Sequence, residues 1–327
     1  MVRLSLLLLE ATTVALSLSG EVKMEKVAYM SQPNCYKLSN GMVDVIVTTD
    51  IGPRIIRYGF VGEENILGEV PEIKTPTELG DWKPWGGHRL WTAPEAMPRS
   101  YSPDNTPIKS EIEGSNTIRL IQPLESGTGI QKEMIVTLAS SGTSVTIRHR
   151  LTNRNLWAVD LAPWALTIMH GGGTAILPQE PYRDHNDYLQ PARPLVLWHY
   201  TNLGDSRWAI GPKFIRLKTD ATLKEPQKIG IANKQGWAAY VLRDTLFVKR
   251  FKYQEGAIYP DYGSNNESYT AEDFMEIETL APMSHLEPGQ VAEHEERWFL
   301  FKKVSIGPDE GSIETTLRPL LGQTTQP

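Results

Sequence analysis

Apolar and polar residues alternate in short runs along most of the chain, the period-two pattern of strands with one face on a core. Val43, Val45 and Val47 alternate with Asp44, Ile46 and Thr48 after a Ser39-Asn40-Gly41 turn. Ile51-Gly52-Pro53 breaks that run before another extended segment at 54–60. The rhythm returns at 117–122, 131–138 and 143–152, punctuated by Glu125-Ser126-Gly127 and Ser140-Ser141-Gly142. Residues 158–169 read as a buried strand pair interrupted at Pro163. Further strands are predicted at 195–200, 214–218, 236–242, 245–253, 274–280 and 296–303, and a short helix at 310–321. Two stretches, 62–116 and 177–194, show no periodicity, and the aromatic content of the first marks it as ordered and functional. With no internal repeat or linker, one large antiparallel all-β domain over residues 24–327 is the economical reading.

Within that pattern, Phe274-Met275-Glu276-Ile277-Glu278-Thr279-Leu280 stands out. Alternation puts Glu276 and Glu278 on one face of the strand, and Met275 and Ile277 on the other. Two carboxylates on an interior strand are costly to bury unless paired or used; on an edge strand the same pattern is a solvated outer face. Two histidines lie in glycine-rich surroundings, His88 in Trp85-Gly86-Gly87-His88-Arg89-Leu90-Trp91 and His170 in Met169-His170-Gly171-Gly172-Gly173. Glycine there lets backbone approach a ligand closely. A carboxylate and two histidines from three distant segments make an acid/base site. His149 shares a face with Val145 and Ile147 and reads as a structural strand residue.

Net charge is −6 with no basic block, which argues against nucleic acid as a partner. The single cysteine, Cys35, excludes an intramolecular disulfide and reads as a packed residue. Nine Trp and twelve Tyr are many for this length; core packing accounts for most of them, and those near glycines and charges suit a sugar ring. The first twenty residues resemble a signal peptide, but Glu10 interrupts the apolar run, which is also too short to span a membrane. Gly20-Glu21-Val22-Lys23-Met24 can be encoded by a purine-rich ribosome-binding site followed by a start codon. Residues 1–23 are therefore expected to be a mis-started extension, giving a cytoplasmic protein. A true signal peptide would make it secreted or periplasmic.

Taken in order, these motifs resemble the galactose-mutarotase-like superfamily, which includes aldose 1-epimerases and hexose-6-phosphate mutarotases. The residues that carry the resemblance are Ile277-Glu278-Thr279 with Pro282, then Leu286-Glu287-Pro288-Gly289 and Glu296-Arg297-Trp298. The resemblance spans residues 34–303 and implies an antiparallel β-supersandwich with a sugar, free or within an oligosaccharide, across its concave sheet. It implies Glu278 as general base, His170 as the acid and His88 as a further catalytic match. Arg89 and Glu276 become substrate-binding candidates, with Trp82, Trp85 and Trp91 as stacking surfaces. Gly-Gly-His-Arg-Leu-Trp and His-Gly-Gly-Gly depart from the best-known epimerases and look more like an uncharacterised branch.

The implied chemistry is mutarotation: a base removes the anomeric hydroxyl proton, an acid protonates the ring oxygen, and the ring opens and recloses. A non-catalytic sugar-binding protein on the same fold would keep the tryptophans and arginine without needing that pair. A glycoside hydrolase or lyase is a second alternative, although Glu276 and Glu278 on one strand face are poorly placed to flank a bond. No cofactor is expected. A metal held by His88, His170 and a glutamate is a third alternative, one the resemblance does not call for.

Overall fold

The computed structural model describes residues 21–327; residues 1–20 of the expected 1–23 extension or leader lie outside the described residues, while Val22 is buried in the core and Lys23 opens the strand Lys23–Tyr29. Two large antiparallel sheets, of eleven and ten strands, pack face to face. Between them lies one apolar core that includes Val45, Tyr58, Val136, Ile147, Met169, Phe247, Ile277 and Trp298. This is the expected all-β supersandwich. The Glu310–Leu321 helix forms where predicted, capped by Asp309, which accepts from the Ser312 amide at 2.9 Å. Its Ile313 and Leu317 cover the outer face of the ten-stranded sheet against Trp237, Val248 and Phe299. Cys35 is buried, and no helix among the described residues is long and apolar enough to cross a membrane.

The middle of the eleven-stranded sheet positions everything that follows. There the order is His88–Ala93, Val159–Met169, Phe274–Leu280, Asn266–Ala271 and Gln227–Ile231. Phe274–Leu280 is therefore an interior strand, and both of its glutamates are buried rather than solvated. The expected strand pair at 158–169 is instead one continuous strand, Val159–Met169. Pro163 is tolerated because its neighbours change there: Leu161 pairs with Ser284 and Trp164 with Leu280. Its carbonyl accepts from the Ala281 amide in the gap between those ladders, the side on which its missing N–H would have lain.

The 62–116 stretch is less irregular than its composition implies. It contributes the central strand His88–Ala93, the outer strand Lys109–Glu113 and two short ribbons. The glycines before His88 serve packing between backbones. Gly87 has φ 64°, and a Cβ there would sit 2.1 Å from the Ile55 carbonyl oxygen. Gly173 behaves alike, since a Cβ would come within 2.4 Å of the Tyr240 ring. In both motifs glycine makes room for the protein itself, where a ligand had been expected.

Candidate functional site

Alternation along the central strands sends successive side chains to opposite faces of the sheet. On the outer face Arg89 and Trp91 stand beside Trp164, Leu166 and Ile168, then Glu276, Tyr269 and Lys228, around a cleft of about 370 Å³. Trp82, Glu95, Tyr101, Trp198 and Tyr200 close its sides. A larger hollow of about 630 Å³ among residues 180–194 lies elsewhere and is lined by exposed or half-exposed side chains.

Register explains the meeting of charges. Glu276 lies opposite Tyr269 and Ile168, and Glu278 opposite Glu267 and Leu166, with Arg89 across from Leu166 on the far side. Arg89 Nη2 donates to Glu276 Oε1 at 2.9 Å, and its guanidinium sits over the Trp82 and Trp91 rings at 5.3 and 4.9 Å. Lys228 Nζ donates to Glu278 Oε2 at 3.0 Å and stands 2.8 Å from Glu267 Oε2. It is caged by Trp164 and Trp198 at 4.7 and 4.6 Å. The Trp164 indole also donates to Glu278 Oε2, at 2.9 Å. Burial raises the pKa of Glu278 and, further, of Glu267, and Lys228 only partly opposes this. Burial works against the Lys228 charge, but Glu267 and Glu278 outweigh it and hold its pKa well above the ordinary lysine value.

This network is incomplete. Arg89 Nε and Nη1, Glu278 Oε1 and both Glu267 oxygens are buried without an aligned hydrogen-bond partner among the described residues. Such groups are expensive to leave unmade and are rare in native interiors. Arg89 lines the aromatic cleft, and Glu278 and Glu267 lie just beneath it beside Lys228.

The candidate residues divide. Arg89, Glu276, Trp82 and Trp91 line the cleft, while Glu278 lies fully buried beside Lys228. Trp85 is outside the lining, bonded through its indole to Asn105 at 3.0 Å. His170 follows the end of its strand, half exposed, with Nε2 3.5 Å from Glu64. His88 points into the opposite face, between the sheets. The expectation that His88, Arg89, His170 and Glu278 line one cleft is thus not met: strand alternation separates His88 from Arg89, and Val159–Met169 ends before His170 can turn inward. Lys228, Trp164, Trp198, Tyr101, Tyr200, Tyr269, Glu95 and Glu267 carry no motif. The one available signal was a charge at the head of the Lys228-Ile229-Gly230-Ile231 run, with Glu267 and Tyr269 alternating in Asn266-Glu267-Ser268-Tyr269.

His88 belongs to a second buried network. Lys249 Nζ donates to Thr167 Oγ1, the Ile277 carbonyl and Glu296 Oε1, at 2.6, 3.0 and 2.9 Å, using all three ammonium donors. Because neutral His149 spends its proton from Nδ1 on the His294 carbonyl at 3.0 Å, its Nε2 accepts the Nε2 proton of His88 at 2.6 Å, and His88 Nδ1 accepts from Thr167 at 2.8 Å. His294 Nε2 donates to Thr279 at 2.7 Å, Thr279 to Glu296, and the Trp298 indole to Glu296 Oε2 at 2.8 Å. Burial lowers the pKa of all three histidines, that of His294 to about 3. Burial alone would raise Glu296, but Lys249 first and then the histidines hold it below the usual carboxylate range. His88, His149 and Glu296 are metal-ligand types in close proximity. Two nitrogens on one zinc would lie about 3.3 Å apart, however, for Zn–N bonds of about 2.0–2.1 Å at a tetrahedral angle. The shorter His88–His149 separation is that of a hydrogen bond.

No family model matches the chain, and no curated protein matches it. Among solved structures the fold is that of galactose-mutarotase-like proteins. A candidate aldose 1-epimerase from Klebsiella pneumoniae superposes with TM-score 0.56 at 12% identity, over 92% of this chain and 87% of that one. A candidate mutarotase from Salmonella typhimurium gives 0.52 at 11%, over 85% and 97%. A TPR-domain containing protein from Parabacteroides distasonis gives 0.55 at 14% over 90% of this chain, which spans 55% of its length. At such identities the likeness establishes the fold, and function has to be argued from the cleft.

Proposed function

We propose that the protein binds a saccharide in the concave cleft and acts on it by mutarotase-type acid/base chemistry at the anomeric centre. The observation that carries this reading is the Arg89–Glu276 pair at the floor of an aromatic cleft, with two further Arg89 donors unspent. Tryptophan and tyrosine faces suit the apolar face of a sugar ring, and a forked guanidinium beside a carboxylate suits adjacent hydroxyls. Glu276 is the carboxylate presented to the cleft, and it takes the role of base that the sequence resemblance gives to Glu278. Glu278, one pleat further along the same face, holds Lys228. The likeness in fold to candidate aldose 1-epimerases agrees with this assignment but does not carry it.

Binding without chemistry is favoured by one observation: neither His170 nor His88 reaches the cleft. A single experiment separates the two readings. Saturation-transfer and anomer-exchange NMR on a panel of hexoses, pentoses, amino sugars, uronic acids and hexose phosphates should show binding together with exchange above the buffer rate. Binding with buffer-rate exchange for every bound sugar leaves a binding protein; no binding at all sinks both.

A further inference from the structure

With the histidines elsewhere, mutarotation in this cleft needs another proton donor for the ring oxygen. We propose that Lys228 is that donor, a catalytic residue that acts opposite Glu276; this rests on the saccharide reading above. Lys228 lines the cleft on the Gln227–Ile231 strand. Its position is fixed from four sides, by Glu267, Glu278, Trp164 and Trp198. An ammonium has three donors. One is donated to Glu278, Glu267 stands beside the ammonium at 2.8 Å as an ion-pair partner, and no other described residue accepts from it. Lys228 lies opposite Tyr269, and Tyr269 opposite Glu276, so base and acid sit in one row two strands apart. Neighbouring strands are about 4.8 Å apart. Tyr269 stands between the Lys228 and Glu276 backbones, and Lys228 reaches across to Glu278 on the strand that carries Glu276, which brings its ammonium towards the base within one cleft.

The protons balance without a co-reactant. Glu276 takes the proton from the anomeric hydroxyl as the C1–ring-oxygen bond breaks and C1 becomes an aldehyde carbon. Lys228 gives one proton to the departing ring oxygen and becomes an amine. After rotation about C1–C2, the ring hydroxyl attacks the other face of C1. Its proton returns to Lys228, and Glu276 gives its own to the new anomeric oxygen. Both groups end as they began. Glu267 and Glu278 keep Lys228 charged between turnovers, with Glu95, Tyr200 and Tyr269 the other titratable groups that face it.

The test is anomer exchange on a sugar that binds, with wild type and Lys228→Arg. Arginine keeps the charge beside Glu267 and Glu278 but does not give up its proton in this range. The exchange acceleration should fall about 10²–10⁴-fold, while the dissociation constant stays within about tenfold. Wild type needs no variant for a second reading: its rate should show no alkaline limb between about pH 7 and 9, where an imidazole donor with a pKa near 6.5 would already have lost its proton. Retention of the wild-type rate by Lys228→Arg, or an alkaline limb near neutrality, overturns Lys228 as donor and leaves the saccharide reading standing. A wild type that binds sugars without accelerating exchange overturns the catalytic reading together with the donor.

Discussion

The His88–Ala93, Val159–Met169 and Phe274–Leu280 strands carry polar side chains on both faces, and the two faces are finished differently. Between the sheets, Lys249, Thr167, His88, His149, His294, Thr279 and Glu296 form a directed chain in which each proton has a destination. On the outer face, Arg89, Glu276, Glu278, Glu267 and Lys228 are as deeply placed, yet donors and acceptors are left over. Histidines beside a glutamate look more like a catalytic site than an arginine among tryptophans does. What distinguishes the two is satisfaction of hydrogen bonds: a closed network offers a ligand nothing, whereas an open one is stable only because something completes it or water reaches it.

Three perturbations sharpen that contrast. Lys249→Met leaves Glu296 as an uncompensated buried charge and should cost about 3–5 kcal/mol of stability in urea unfolding. A loss below about 1 kcal/mol would show that the inter-sheet network does not hold the sheets together. Glu276→Gln keeps an acceptor for Arg89 but cannot take a proton. It should lower anomer exchange about 10²–10⁴-fold, and it should lower stability by less than Lys249→Met because the amide keeps the hydrogen bond to Arg89 while losing the charge. Equal damage to stability would make Glu276 a structural residue.

Acid acts on both networks, with opposite signs fixed by burial: Glu267 and Glu278, whose pKa burial raises, take up protons more readily folded than unfolded, whereas the inter-sheet histidines resist them. His294 is held neutral, with a pKa of about 3 against an ordinary 6.5. Below pH 6.5 the unfolded chain takes up protons that folded His294 refuses, so stability falls as pH drops from 6.5 towards 3. For His294 alone the loss is about 1.4 kcal/mol per pH unit. His88 and His149, lowered by the same cause, act in the same direction. Calorimetric melting across pH 7 to 4 should show this as a difference in slope, with wild type losing more stability than His294→Gln.

Much of the fold was legible because alternation and turns report local environment. The alternation of Glu276 and Glu278 with Met275 and Ile277 placed the glutamates correctly on one face. It could not say whether that face was solvated, since this depends on which strands pair alongside. The same period-two rule, applied to His88-Arg89, separates the residues that the motif joins. Glycine-rich context misled because Gly87 and Gly173 satisfy backbone and ring packing, which the sequence does not distinguish from room for a ligand. Lys228 and Glu267 left only a faint signal for another reason: each is an ordinary charged residue until register sets it opposite the others.

The most direct measurement uses the tryptophans as reporters, since each network holds an indole N–H. Trp164, which lines the cleft, donates to Glu278 buried beneath it, and Trp298 donates to Glu296 between the sheets. With ¹⁵N-labelled tryptophan, titration of a saccharide that binds should shift the Trp164 indole resonance and leave that of Trp298 in place. Arg89→Lys should weaken that shift and His88→Gln should not. Movement of Trp298 with Trp164 unchanged, or binding that survives Arg89→Lys and is lost in His88→Gln, would place the functional site between the sheets and contradict the assignment made here.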